Sequence, residues 1–176
     1  LAIGKLKFNL WNVDMASMSS QKFYGMKGVG SLLKNKSLEI EPIIYGGKST
    51  TIYRSGTPAT ALIVSMSKAL RLAYEDFEEK YAHVLELSNY LKQKLQLIDG
   101  IILNSTSCSL PHIVNISILN VKPETILHAL EEDDIYISTQ TACHKAGDLS
   151  TSVLELTKSE LYAKHSIRIS ISYLTT

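Results

Sequence analysis

The sequence predicts an α/β chain in two parts, residues 1 to about 75 and residues 76–176. Three observations carry this. Apolar residues recur at helical spacing from about Thr57 to Leu97, giving a long helical run. After the Asp99-Gly100 turn signal, short segments alternate apolar and polar with a period of two. Before the helices, residues 14–30 (DMASMSSQKFYGMKGVG) are rich in Ser and Gly around a lysine.

Leu1-Ala2-Ile3-Gly4 reads as the tail of a strand already under way, without the basic region and long apolar core of a secretory signal. Both ends of the chain read as cut. Gly25, Gly28 and Gly30 favour turns, and a strand is expected over Val29–Leu33. Thr57 followed by Pro58 predicts a helix start with proline at the first helical position. That helix runs to Tyr74 on Leu62, Met66, Ala69, Leu70 and Ala73. A second helix is expected over Phe77–Leu97, with Tyr81, Val84, Leu87, Leu91 and Leu95 on one face. The charges at Glu75-Asp76 make this region a connector between two lobes.

Strands are then expected at Ile101–Leu103, His112–Ile118 and Ile135–Ser138. A proline-initiated helix is predicted over Pro123–Glu132, and a short one over Ser152–Leu156. A polar loop over Thr139–Ser150 lies between strand and helix. The last strand places Ile167, Ile169 and Ile171 towards a core and Arg168, Ser170 and Ser172 away from it.

Composition narrows the function classes. Of the residues, 45% are hydrophobic and 20% charged, and 18 basic against 17 acidic side chains leave a net charge of +1. Nothing in that balance draws the chain to nucleic acid or to an acidic membrane surface. The sequence contains no apolar run long enough to span a bilayer. Two cysteines, Cys108 and Cys143, are too few for a disulfide framework and suit a reduced, cytoplasmic thiol protein.

Three residues are candidates for chemistry. A lysine that forms a Schiff base needs small neighbours to admit a cofactor ring and hydroxyls to meet a phosphate. Ser19-Ser20-Gln21-Lys22 supplies them, although a solvated loop lysine is the commoner reading of such a stretch alone. Cys143 lies in the polar loop beside His144 and Lys145, which favour its thiolate; an incidental loop cysteine is the alternative. Arg168, fixed on the polar face of a strand, has the fork geometry to clamp a carboxylate, or is an ordinary solvent-facing residue. Neither Cys143-His144 nor Cys108…His112 has the spacing of a metal site, so no metal is expected. His83, His128 and His165 read as surface or packing residues.

The order and spacing of these segments carry more than each alone. Ser19 to Gly30 closely resembles the cofactor-lysine segment of cysteine desulfurases of the NifS/IscS-like type, within the class-V aminotransferase superfamily. Gly46-Gly47, Arg54-Ser55-Gly56-Thr57, the Ala142-Cys143 pair and Ser166-Ile167-Arg168-Ile169-Ser170 follow in that family's order. The resemblance implies a fold-type-I pyridoxal-phosphate enzyme, with residues 1–75 as the C-terminal part of the large cofactor-binding domain and 76–176 as the small C-terminal domain. It implies that Lys22 holds pyridoxal 5'-phosphate covalently and later moves protons. Ser19 and Gln21 would contact the phosphate, and Thr57 would reach the phosphate of a partner subunit in a homodimer. Arg168 would bind the carboxylate of L-cysteine. Cys143 would take the sulfur as a persulfide, leaving alanine, and pass it to a sulfur-acceptor protein for iron–sulfur cluster or thio-cofactor synthesis. The stretch from Cys143 to Val153 matches the branch with a long, mobile cysteine loop.

Two departures bear on this. Gln21 stands where the family has histidine, so it donates to phosphate without carrying positive charge. The family's ring-stacking histidine, the acid that pairs with the pyridine nitrogen and one phosphate loop correspond to positions before Leu1, so the chain alone is expected to be inactive. The alternatives are a related class-V enzyme, such as a selenocysteine lyase or cysteine sulfinate desulfinase, and a non-catalytic dimerisation or scaffold module. No nucleic acid or membrane enters either reading.

Overall fold

The computed structural model describes residue 5 and residues 12–47, 51–139 and 149–176. These form two compact units, one ending at Glu78 and the other starting at Glu79.

In the first unit, β1 (Met15–Ser19) pairs antiparallel with β2 (Gly30–Lys34), from Met15 opposite Lys34 to Ser19 opposite Gly30. The sequence suggested only turns before Val29. The strand exists because Ala16 and Met18 alternate inward with period two while Met15, Ser17 and Ser19 stay exposed; two interleaved serines mask that pattern. β2 begins one residue later than expected. Between the strands, Ser20–Phe23 forms a single 3-10 turn, followed by Tyr24 in the left-handed region (φ 66).

Helix α1 (Thr60–Tyr74) starts later than the Thr57-Pro58 signal predicts. Ala59 is non-helical (φ −77, ψ 76), Thr60 N donates to Pro58 O at 3.0 Å, and the helical ladder opens with Ile63 N donating to Ala59 O. Pro58 thus stands just outside the helix. Met66 and Ala69 of α1 pack with Met18 and Phe23, flanked by Val29, Leu70 and Ala73. Glu75 turns extended and Asp76 adopts φ 54, which separates α1 from α2 (Phe77–Leu95). The second helix ends two residues short of Leu97.

The second unit is built on a three-stranded antiparallel sheet of β3 (Ile101–Leu103), β4 (Ile113–Ile118) and β5 (Ser166–Ser170), with β4 central. Val114, Ile116 and Ile167 are its buried centre, joined by Leu91 and Leu95 of α2 and by Ile118, Ile137 and Ile169. Ile126 of α3 (Pro123–Glu131) also packs there. Ile171 lies beyond the end of β5 and outside that cluster.

The strand expected at Ile135–Ser138 reduces to one bridge, Ser138 to Arg168. Ile135 and Tyr136 are exposed and Asp134 has φ 59, so the chain meets β5 only at its last residue. The expected short helix appears as α4 (Thr151–Thr157). It is followed by an unpredicted one, α5 (Glu160–Lys164), whose first turn is capped by Ser159 accepting from Tyr162 N at 3.3 Å. No helix among the described residues is long and apolar enough to cross a membrane.

Candidate active-site elements

The lysine segment is a turn pinned from below. Ser20 and Phe23 are fully buried, whereas Ser19, Gln21 and Lys22 are exposed. Two backbone bonds hold the turn: Ser20 N donates to Val29 O at 3.1 Å, and Gly25 N donates to Ser20 O at 3.0 Å. Gly25 is required by space, because a Cβ there would lie 2.0 Å from Ser20 Oγ and 3.1 Å from Ala69 Cβ. The result is an amine, a hydroxyl and a carboxamide presented on one tight turn whose other residues are locked in the core.

A second cation belongs to this neighbourhood. Burial holds the Lys5 ammonium below its ordinary 10.5, and the nearby charge of Lys22 lowers it further. The Lys22 amine, the Ser19 hydroxyl and the Gln21 carboxamide are a donor set that suits an anionic aldehyde cofactor: the amine for the aldehyde, the other two for a phosphate. Thr57 lies with Arg54, Gly56 and Thr51 around a cavity of about 500 Å³ that Gly28, Val29 and Gly30 also line. Gly30, one of its lining residues, is the strand partner of Ser19.

In the second unit, Arg168 sits mid-strand on β5, opposite Asn115 of β4 on one side and bridged to Ser138 on the other. Arg168 N donates to Ser138 O at 2.7 Å, Ser138 N donates to Arg168 O at 3.1 Å, and Arg168 Nη2 donates to Ser138 Oγ at 3.2 Å. The guanidinium is therefore oriented rather than trailing into solvent. It lines a cavity of about 260 Å³ with Asn104, Asn115, Thr139, Ser150 and Ser166 among its walls. Two buried polar atoms of this wall, Arg168 Nε and Asn104 Oδ1, have no hydrogen-bond partner among the described residues.

Cys143, with His144 and Lys145, lies outside the described residues. Cys108 is a free, exposed thiol. The histidines read as packing or surface residues each have a partner: His83 with Thr175 O at 2.9 Å, His128 with Glu131, and His165 with Leu161 O.

Reading the sequence missed the roles of Ser20 and Phe23 as anchors of the lysine turn. It also missed Asn104, Asn115 and Ser138 as neighbours of Arg168. The signal for Asn115 was present, since it occupies the polar phase of the β4 alternation. Ser138 meets Arg168 through a strand bridge, and Asn104 reaches the same cavity through its bonds to Asn115 and Ser117 of β4, neither of which any local pattern encodes.

Comparison with known proteins places these elements in a family. The aminotransferase class-V family matches residues 2–176. A NifS/IcsS protein homologue of Lactobacillus delbrueckii subsp. bulgaricus is 36% identical over 171 residues, covering 93% of this chain and 43% of that protein. The cysteine desulfurase IscS of Dictyoglomus turgidum is 34% identical over 167 residues, covering 93% of this chain and 42% of its own length. Among solved structures, a NifS-like protein superposes with a TM-score of 0.85 at 32% identity, over 99% of this chain and 46% of that one. The chain thus spans somewhat under half the length of these relatives, and its α/β fold is that of the matching portion of fold-type-I pyridoxal-phosphate enzymes. The chain belongs to the aminotransferase class-V family, with NifS- and IscS-type cysteine desulfurases among its relatives.

Proposed function

We propose that the whole protein is a pyridoxal-phosphate-dependent cysteine desulfurase, in which this chain contributes the end of the large domain (1–75) and the small domain (76–176). The observation that supports it most is the lysine turn. Lys22, Ser19 and Gln21 are exposed together on a turn fixed by buried Ser20 and Phe23, within a segment resembling the desulfurase cofactor segment.

In this reading Lys22 would hold the cofactor and move protons at the substrate carbons, while Ser19 and Gln21 would donate to its phosphate. When bound, the cofactor supplies the electron sink for cleavage at the substrate. Thr57 serves the phosphate of a partner subunit in a homodimer. Arg168, oriented by Ser138, takes the carboxylate of L-cysteine through parallel N–H donors. The Cys143 thiolate attacks the substrate sulfur: an S–S bond forms, the substrate's carbon–sulfur bond breaks with its electron pair passing to carbon, that carbon takes up a proton, and the skeleton leaves as alanine. The persulfide then passes to a sulfur-acceptor protein for iron–sulfur cluster or thio-cofactor synthesis, in a cytoplasmic setting. The 176-residue chain alone is proposed not to turn over.

The experiment uses the whole protein. Cys143→Ser should keep the cofactor chromophore while alanine release and persulfide labelling collapse, and Cys108→Ser should leave both intact. The reverse pattern would name the wrong nucleophile. Faster turnover of selenocysteine with no persulfide would move the protein to the related lyases.

A further inference from the structure

The loop that walls the Thr57 cavity alternates between residues that line it and residues that anchor it. Thr51, Arg54, Gly56 and Thr57 line the cavity, whereas Tyr53 and Ser55, which stand between them in sequence, do not. Both of these are held elsewhere in the same unit. The Tyr53 ring lies 5.3 Å from Lys34 Nζ at the end of β2. That ammonium is itself fixed, donating to Leu38 O at 2.7 Å and to Asn35 O at 2.9 Å. Ser55 is held twice: its N donates to Ile44 O at 3.3 Å and its Oγ donates to Tyr45 O at 2.9 Å. Gly46 makes room for the second bond, because a Cβ there would lie 2.9 Å from both Cβ and Oγ of Ser55.

Arg54 and Thr57 are exposed, so the loop backbone, and not packing, decides where their donors stand. Two such side chains can meet one anion only if the backbone between them is fixed beforehand; otherwise the cost of ordering it falls on the binding step. Ser55 lies between the two in sequence. Its hydroxyl has a single proton, which goes to Tyr45 O and not to the cavity. Without that hydroxyl, residue 55 would keep only the longer of its two bonds, the one to Ile44 O.

We infer that Ser55 is a positioning residue for phosphate recognition. Its bond to Tyr45 O fixes the loop so that the Arg54 guanidinium and the Thr57 hydroxyl are presented to one phosphate group, while Ser55 itself touches no ligand. Gly46 is the complementary half of this clamp. The inference deepens the proposed reading, in which Thr57 serves the cofactor phosphate of a partner subunit, and rests on it for the identity of the phosphate.

The test compares two probes on the whole protein stripped of cofactor: pyridoxal phosphate, and pyridoxal, which has the same ring and aldehyde without the phosphate. Binding is followed by the absorbance of the bound aldehyde. The parent should prefer pyridoxal phosphate by about a hundredfold or more. Ser55→Ala should weaken pyridoxal phosphate by about tenfold and change pyridoxal by less than about twofold, so the preference itself falls. A purely structural role would weaken both probes together, and that result, or an unchanged preference, would overturn the inference. Gly46→Ala, which keeps the hydroxyl but displaces it, should lower the preference in the same way. If Ser55→Ala does not fold, this second variant decides, and a preference equal to the parent's would overturn the inference. A parent that binds both probes equally would instead remove the cofactor reading and this inference with it, an outcome distinct from failure of the variants alone.

Discussion

Gly25→Ala tests whether the lysine turn is held by close packing, because at this position only space is at issue. Among the described residues the glycines with positive φ are Gly28, Gly46, Gly56 and Gly100, so Gly25 itself has no need of left-handed backbone. The added methyl would stand 2.0 Å from Ser20 Oγ, 3.1 Å from Ala69 Cβ and 3.2 Å from Ser20 O. The first contact is impossible as built, and the other two require shifts of a few tenths of an ångström in α1 or in the turn. Overpacking of a filled site costs about 1–3 kcal/mol. Ser20→Ala should relieve the largest clash at little cost of its own, since Ser20 Oγ is buried with no partner among the described residues. A double-mutant cycle measured by urea unfolding should therefore show Gly25→Ala destabilising by about 1–3 kcal/mol, with at least about 0.5 kcal/mol recovered when Ser20→Ala is added. A Gly25→Ala cost within experimental scatter, or strictly additive single changes, would refute the packing argument.

Phe23→Ala should be costlier, at about 3–5 kcal/mol by urea unfolding, because Phe23 is 2% exposed and central to the packing of α1 on β1. Lys5→Met should stabilise the chain at neutral pH. A lysine whose folded pKa is depressed penalises folding fully below that value, and the penalty fades as pH rises to the ordinary 10.5, so parent and variant stabilities should converge over that alkaline interval. In the whole protein, Arg168→Lys should raise KM for L-cysteine by about tenfold or more with a smaller effect on kcat, because an ammonium can neither donate the parallel pair nor hold Ser138 in the same way. The 176-residue chain mixed with pyridoxal phosphate and cysteine should release no alanine; sustained release would remove the proposal that this chain is inactive alone.

Much of the fold could be read in the sequence, where a single periodicity dominates. The α1 and α2 stripes, the β3 and β4 segments and the Ile167–Ile169 alternation all declare themselves, because each buries one face on the same side. The departures have physical causes. In β1 the inward residues are Ala16 and Met18, and the serines between them resemble a loop. In the 135–138 segment a strand was expected, but Ile135 N is turned to Leu130 O, Ile135 and Tyr136 are exposed, and among the described residues only Ser138 of the segment bridges to β5. Pro58 stands two positions before the first helical residue rather than at it, because a proline signals where a helix is about to begin and not whether its own residue takes helical angles. For the site, single residues such as Lys22 and Arg168 were legible from their segments. Their supports were not, since Ser138 and Asn115 flank Arg168 through strand register, and Ser20 and Gly25 interlock through a contact of two small groups.

The central claim is that Lys22 is the cofactor-bearing lysine, and chemical trapping tests it most directly. The whole protein is loaded with pyridoxal phosphate, reduced with borohydride, digested and mapped. Our account places the pyridoxyl group on Lys22, and Lys22→Ala should abolish the label and the bound chromophore together. A label on Lys5 or Lys27 instead, or a stable chromophore that survives Lys22→Ala, would contradict it.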